Sequence, residues 1–120
     1  MKELSAVKLV VNRSRFYSHL YMISDTGEVE GILKEHRSIY KKANHHCYAF
    51  IFNDEESFKN DGEVGHPGQT ILGILKREGL GSHCLMVSRI FGGRKLGVGG
   101  VTRSFKEAAD GVIVEMRSHS

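Results

Sequence analysis

The sequence predicts an α+β fold, a two-layer sandwich in which three helices cover one face of a mixed four-stranded sheet. Two apolar segments flank a polar turn near the start, which indicates a β-hairpin. Three later segments carry apolar residues at helical spacing and alternate with two apolar strands. The order β-β-α-β-α-β-α could also form a doubly wound α/β domain, but so few strands and an antiparallel opening favour the sandwich.

Each element is assigned from its own residues. Asp25, with Glu28 three residues on, resembles a capping box at the start of the first helix. Gly79 ends the second helix. Residues 53–68 are acidic, contain the only proline and predict a mobile loop. The predicted elements are strands 7–11 and 16–23 around a turn at 12–15, a helix reaching Lys42, strand 45–52, helix 70–78, a strand at 84–87 and a helix from Val101 to Met116.

Composition indicates an ordinary globular protein. The chain has 120 residues, enough for a single domain over residues 1–120, with 40% hydrophobic and 26% charged residues. No apolar run approaches the roughly 20 residues that span a bilayer, and the start lacks the apolar segment of a secretory signal. We therefore expect a cytoplasmic protein with no membrane partner. Cys47 and Cys84 lie in apolar segments, which favours buried free thiols over a disulfide.

The stretch that organises the chain is glycine-rich and basic. An apolar strand leads into it and an amphipathic helix leads out, so it is a strand-to-helix turn. Free N–H groups at a helix start bind anions, and no acidic residue occurs between Glu78 and Glu107. We expect a Cβ at Gly99 or Gly100 to block close approach or forbid the turn. The predicted anion or nucleic-acid site comprises Arg89, Gly92, Gly93, Arg94, Lys95, Gly97, Gly99, Gly100 and Arg103.

A simpler interpretation of this stretch is that the glycines only permit tight packing while the cations solvate its rim. The charge distribution favours a ligand. The formal net charge is only +3, but acidic residues cluster just before the basic half. Such a dipolar surface suits an anion that meets one side of the protein. The acidic cluster comprises Asp54, Glu55, Glu56, Asp61 and Glu63.

Histidines and a cysteine lie together in the third strand. His45 and Cys47 share one face and His46 the other, because side chains alternate along a strand. With His66 or His83 they could bind zinc, but their spacing matches no tetrahedral zinc motif. We therefore predict no metal and no cofactor.

Two further chemical arrangements are conceivable around the same strand. Cys47 beside His46, with Asp61 or Glu63, could form a nucleophile, but a thiol in an apolar strand should be inert. No catalytic residue is assigned. The acidic loop could instead pair with Arg89 and Lys95, gate the anion site, or hold a divalent ion together with a phosphate, and pairing is favoured. The candidate gating or pairing residues are His45, Asp61 and Glu63.

The aromatic residues are predicted to form mainly core. One exposed ring among them could stack on a nucleic-acid base. The set comprises Tyr48, Phe50, Phe52, Phe91 and Phe105.

The motifs resemble those of the Impact/YigZ family of poorly characterised proteins. The resemblance is carried by residues 86–97 (MVSRIFGGRKLG) and 97–105 (GVGGVTRSF). Upstream, residues 14–16 (SRF), 45–49 (HHCYA) and 61–63 (DGE) agree in order. The match covers nearly the whole chain. Two features depart from the family pattern: Ile90 replaces an aromatic residue, and the loop between Glu63 and Ile71 is one residue shorter.

The resemblance implies a fold like the second domain of ribosomal protein S-five, and relatives that touch ribosomal RNA. It also implies a link to regulation of translation. We therefore predict an uncharacterised Impact-type domain that binds RNA, the ribosome or another phosphate-rich ligand, with a translation-control protein as a further candidate partner. The alternatives are a small hydrolase that acts on an anionic substrate with residues 61–67 as its lid, and a protein–protein adaptor. The residues favour a binding module over an enzyme.

Overall fold

The sheet has five strands, all antiparallel, in the order β1-β2-β5-β3-β4. The computed structural model describes residues 1–119. With three helices added, the α+β class predicted from the sequence is confirmed. The elements are β1 (Lys2–Val11), β2 (Ser14–Met22), α1 (Glu28–Ile39), β3 (His45–Phe52), β4 (Glu55–Lys59), α2 (Pro67–Arg77), β5 (Ser82–Ile90) and α3 (Gly97–Ser118).

The predicted opening hairpin is present and turns at two residues with positive φ. Asn12 has φ 46° and Arg13 has φ 71°, the left-handed pair that a two-residue hairpin turn requires. Asparagine tolerates this region better than most residues do. Strands β1 and β2 then pair from Val11 with Ser14 to Lys2 with Met22.

The predicted count of four strands is wrong because β4 lies within the stretch assigned to a loop. Asn53 and Asp54 have φ 49° and 64° and form a second two-residue turn. Strand β4 then pairs antiparallel with β3, from Phe52 with Glu55 to Tyr48 with Lys59. This edge strand is polar and exposed, so it lacks the alternation by which strands are recognised.

The prediction of a mixed sheet is wrong, because every strand pair is antiparallel. Strand β5 lies between β2 and β3 and runs antiparallel to both. β2 and β3 run in the same direction but do not touch, so the crossover through α1 produces no parallel pair.

Helices cover both faces of the sheet, so the prediction of helices on one face is also wrong. Leu85 and Val87 of β5 pack in the core that includes α2 and α3. Cys84 and Met86, which alternate with them, pack against α1 on the opposite face. A strand buried on both faces is continuously apolar, and the unbroken apolar run from Cys84 to Val87 has this pattern.

The larger core joins α3 to the hairpin. The rings of Phe16 and Phe105 meet edge to face with centroids 5.2 Å apart, and both side chains are fully buried. This packing holds α3 against β2. No helix among residues 1–119 is both long enough and apolar enough to cross a membrane.

Candidate functional site

The turn between β5 and α3 needs glycine at three positions for backbone reasons. A Cβ on Gly92 would overlap the carbonyl of Arg13 and the nitrogen of Ser14, so the turn packs directly on the opening hairpin. Gly93 and Gly97 have φ 88° and 71°, which other residues rarely adopt. These glycines shape the turn that leads into α3.

Gly99 and Gly100 both lie in the first turn of α3 with ordinary helical backbone, so neither needs glycine for a positive φ. A Cβ on Gly100 would approach Leu96 Cβ to 3.1 Å, which is a tight contact. A Cβ on Gly99 would meet Arg103 Nη1 at 3.3 Å. The Arg103 guanidinium therefore lies beside the first turn of the helix at Gly99 and Gly100.

The start of α3 lacks a side-chain cap. Leu96 occupies the N-cap position, and its side chain has no hydrogen-bond acceptor; the first turn contains no acidic residue. The first N–H groups of the helix and the positive end of its dipole therefore face outward. Arg94, Lys95 and Arg103 are exposed around this end.

Arg89 differs from these cations because it is buried, with 6% of its surface exposed. Its Nη1 donates to Glu63 Oε2 at 2.9 Å, and its Nη2 approaches Ser14 Oγ at 3.4 Å. Glu63 Oε2 also lies 3.5 Å from His45 Nε2. The structure thus places Glu63 as the partner of Arg89, so this cation supports the site from within the protein.

The acidic loop, residues 60–66 between β4 and α2, is hydrogen-bonded to the sheet. Asp61 Oδ2 accepts the backbone N–H of His46 at 2.7 Å, and the carbonyl of Asp61 lies 2.8 Å from His45 Nδ1. Asn60 Oδ1 accepts from the N–H of Gly68 at 2.9 Å and so satisfies a donor at the start of α2. These contacts give the carboxylate and amide groups of the loop structural partners.

The same loop also packs against α3, through Gly65. Gly65 has φ 80°, and a Cβ there would overlap Thr102 Oγ1. Val64, next to it, is exposed and contributes one wall of a groove of about 350 Å³ beside the start of α3. This α3 groove is lined by Val64, Arg89, Phe91, Lys95, Leu96, Gly97, Val98 and Val101.

Phe91 is the exposed ring of the predicted aromatic set, with 46% of its surface exposed at the α3 groove. The Arg89 guanidinium lies 5.9 Å from its ring centroid and 5.5 Å from that of Phe16, within cation–π range. Arg89 Nε is buried and has no acceptor among residues 1–119. The groove therefore combines an apolar wall, an exposed ring and a buried guanidinium.

Sequence reasoning missed a chain of buried polar groups on the α1 face of the sheet. Tyr21 Oη lies 2.9 Å from His36 Nε2, His36 Nδ1 lies 2.7 Å from Ser88 Oγ, and Ser88 Oγ lies 2.7 Å from His46 Nδ1. Every link is satisfied when Tyr21 donates to His36, His36 to Ser88 and Ser88 to His46, and equally when the three hydrogen bonds run in the reverse direction. The available signal was a histidine on the apolar face of a predicted helix.

Burial keeps the His36 ring neutral. Desolvation, followed by the nearby His19 and His46, lowers the pKa of His36 to about 3. Burial also lowers the pKa of His46, although Asp61 opposes this shift. Ser88 is fully buried, so its hydroxyl serves this hydrogen-bond chain and has no access to a substrate.

Both thiols are buried. Cys47 Sγ donates to the carbonyl of Asn60 at 3.2 Å, and burial, with Glu63 and Asp61, raises the pKa of Cys47 well above its usual range. Burial raises the pKa of Cys84 to about 12. Residues 1–119 contain no cluster of three or more histidine, cysteine or acidic side chains that could hold a metal ion.

The fold and its glycine-rich turn have counterparts among known proteins. The profile of the Impact N-terminal domain matches residues 12–113, which include the glycine-rich turn and most of α3. The chain belongs to the Impact family. Among curated members, YvyE of Bacillus subtilis (strain 168) is 30% identical over 117 residues, a match that covers 93% of this chain and 54% of YvyE. This Impact chain therefore spans about half the length of that relative.

Solved structures share the fold of this Impact domain. A crystal structure of a hypothetical protein superposes with a TM-score of 0.86 at 24% identity, covering 92% of this chain and 57% of the other. The two-domain translational regulator Yih1 superposes with a TM-score of 0.56 at 18% identity, covering 96% of this chain and 46% of Yih1. At these identities the similarity establishes the fold alone.

Replacing Glu63 with alanine should destabilise the Impact domain by about 3–5 kcal/mol, because it leaves the Arg89 cation buried without its partner. The matched control is Glu56→Ala. Glu56 pairs with Lys76 at 3.2 Å, but both side chains are well exposed, so its loss should cost at most about 1 kcal/mol. Urea unfolding measures both. Equal losses of stability would show that burial of the Arg89–Glu63 pair has no energetic consequence.

The neutral His36 should make stability depend on pH. Unfolded histidine has a pKa near 6.5, whereas His36 in the folded protein has a pKa of about 3. Below pH about 6.5 the unfolded chain binds a proton that the native protein excludes, so stability falls as pH decreases toward 3, by at most about 1.4 kcal/mol per pH unit from this residue. The measurement is urea unfolding at pH 7 and pH 5.

His36→Leu should reduce that pH dependence, while His119→Gln, an exposed histidine at the end of α3, serves as the control. A His36→Leu variant whose loss of stability between pH 7 and pH 5 matches that of the unchanged protein would contradict the assignment of a neutral, buried His36.

Cys47 and Cys84 should resist alkylation by iodoacetamide in the native protein, because a thiol with a raised pKa carries little thiolate. Both should react fully in urea. Mass spectrometry after timed quenching measures the modification. Rapid native alkylation of Cys47 would mean that its strand opens or that its thiol is activated.

Proposed function

We propose that this Impact domain binds RNA, or another phosphate-rich ligand, at the start of α3 and acts in the regulation of translation in the cytoplasm. The observation that carries the proposal is the arrangement of Arg94, Lys95 and Arg103, three exposed cations, around the uncapped first turn of that helix. Residues 1–120 are proposed to act as one domain of this type.

The helix start supplies fixed donors for a phosphate. Its free N–H groups and the helix dipole attract an anion, and the Arg103 guanidinium lies along the same turn. Lys95 lines the α3 groove beside it. Arg89, which the sequence also placed in the site, is neutralised by Glu63 and is proposed to hold the groove in shape.

The link to translation rests on the family and on a neighbour's fold. Yih1, whose structure is described as that of a translational regulator, shares this fold at 18% identity. That similarity supports translation-related work as a proposal for this chain, with the ribosome or a translation-control protein as the candidate partner.

The hydrolase alternative receives less support from the loop proposed as its lid. Asp61 accepts a hydrogen bond from the His46 backbone, and Glu63 pairs with Arg89 and lies near His45. These carboxylates already have structural partners. The adaptor alternative is favoured by exposed apolar side chains at the α3 groove, namely Val64, Phe91 and Val98.

Replacing Arg94 and Lys95 together with alanine should weaken RNA binding and flatten its dependence on salt. Each neutralised phosphate releases counterions, so two contacts contribute a slope of log affinity against log salt of about −1.4 for a single strand and about −1.8 for a duplex. Fluorescence anisotropy with a labelled RNA at several salt concentrations measures this slope. Both side chains are exposed, so thermal unfolding should be unchanged.

The matched control is the double variant Lys2→Ala/Lys34→Ala, which removes two exposed lysines outside the α3 groove. It should keep most of the slope. An RNA affinity that does not depend on salt, or that is the same in the Arg94/Lys95 variant as in the unchanged protein, would overturn the proposed function and leave the turn as a packing device.

A further inference from the structure

We propose that the RNA bound by this domain is single-stranded and crosses one end of the sheet, from the α3 groove to a second cationic groove beside the end of α1. This inference rests on the proposed function and adds a binding site to it. The second groove, called the α1 groove, has a volume of about 610 Å³. Its residues used in the argument are Arg15, Tyr17, Tyr40, Lys41, Lys42 and Ile90.

The α1 groove is positively charged. Lys41 and Lys42 are exposed, Arg15 is half-buried, and none of the residues that line the groove in the described chain is acidic. Cations after a helix often compensate the negative end of its dipole, which is equivalent to about half a charge. Three cations exceed that charge several-fold, so the groove remains attractive to a phosphate.

Aromatic rings line the same groove. The rings of Tyr17 and Tyr40 stack with centroids 4.3 Å apart and an interplanar angle of 21°. Lys8 Nζ lies 5.8 Å from the Tyr17 ring centroid and adds another cation nearby. Aromatic faces beside cations are the combination that binds unpaired bases and their phosphates.

The two grooves meet at one end of the sheet. Ile90 lines the α1 groove and Phe91 lines the α3 groove, and adjacent Cα atoms in a chain are about 3.8 Å apart. Asn44 fixes this corner, because its backbone N–H donates to the carbonyl of Arg89 and its Oδ1 accepts from the N–H of Phe91, both at 2.9 Å. A short single-stranded RNA can therefore reach both grooves.

Pairing in the sheet explains why the grooves open on opposite faces. Arg15 of β2 lies opposite Ile90 of β5, and Phe16 lies opposite Arg89. Because side chains alternate, Arg15 points to the α1 face while Phe16 and Arg89 point to the α3 face. A ligand that occupies both grooves must therefore bend around the end of the sheet.

That bend favours a single strand over a duplex. Duplex nucleic acid is stiff over distances far longer than this domain, and its bases are stacked inside. A single strand bends freely and offers flat bases to Phe91 on one side and to the tyrosine pair on the other. Folds that bind single strands cover roughly 4–16 nucleotides, so a strand of about 12 nucleotides should span both grooves.

The first test measures salt slopes for single-stranded RNA of about 12 nucleotides with three double variants. Arg94→Ala/Lys95→Ala and Lys41→Ala/Lys42→Ala should each make the slope shallower by about 1.4. Lys2→Ala/Lys34→Ala is the matched control and should change it much less. Circular dichroism and thermal unfolding confirm that each variant is folded.

The outcomes separate the two proposals. If only the Arg94/Lys95 variant changes the slope, the proposed function stands and the path into the α1 groove is overturned. If only the Lys41/Lys42 variant changes it, both the α3 site and the crossing path are overturned. If neither differs from the control, both proposals fail.

The second test places a reporter in the α3 groove. The chain contains no tryptophan, so Phe91→Trp provides a single one at the exposed position. A base stacked on it should quench its emission, and Phe91→Ala should weaken binding of the single strand by about 5- to 150-fold. Inorganic polyphosphate should bind with little quenching, which separates base stacking from phosphate binding.

A duplex of the same sequence is the competitor. It should displace the single strand poorly, and equal affinity for both forms would overturn the single-strand proposal. The tryptophan emission of the Phe91→Trp variant could also change with protein concentration alone, with a dimer seen in sedimentation. That result would identify a second copy of the chain as the occupant of the α3 groove and would overturn the single-strand proposal.

Discussion

The buried ion pair between Arg89 and Glu63 joins three parts of the structure that are far apart in sequence. Arg89 lies near the end of β5, Glu63 in the loop before α2, and Ser14, which Arg89 also approaches, at the start of β2. Both charged side chains are removed from water, and separating them inside the protein would leave a charge without compensation. The loop that carries Glu63 is therefore held against the sheet, and its next residues, Val64 and Gly65, become a groove wall and a contact with α3.

The glycine-rich turn packs on the same part of the structure, at the end of the sheet that holds the Arg89–Glu63 pair. Gly92 packs on the hairpin turn so closely that it has no space for a side chain, and the left-handed backbone of Gly93 and Gly97 then directs the chain into α3. The consequence is a helix start with exposed cations around it. Donors that the fold already holds in place suit phosphate recognition because they need less ordering on binding.

Local patterns in the sequence were sufficient for the α+β class, the hairpin and the three helices, since each of these depends on residues close together in the chain. Strand β4 was missed because it is a polar edge strand, although Asn53 and Asp54 carried the turn signal. The placement of helices on both faces of the sheet was not predicted. The sequence pattern shows that β5 is apolar, but it does not show which helices cover the two faces of β5.

The site was predicted less completely for the same reason. The sequence located the basic turn, but it could not show that Arg89 is buried while Arg94, Lys95 and Arg103 are exposed. Local sequence patterns do not reveal contacts between residues that are far apart in the chain. His36 and His46 contact Ser88 across 52 and 42 residues of chain. The two grooves at the end of the sheet arise in the same way, from residues of β2, β5, α1 and α3 that only the fold brings together.

The most direct test of the anion site is a two-dimensional amide NMR titration of the ¹⁵N-labelled protein with short single-stranded RNA. We expect the amide signals of Gly93, Gly97, Gly99 and Gly100 to shift with increasing RNA, and added salt to reverse those shifts. The amides of Lys2 and Met22, paired at the opposite end of the sheet, should stay in place. Shifts confined to other surfaces, with the α3 start unaffected, would contradict the account.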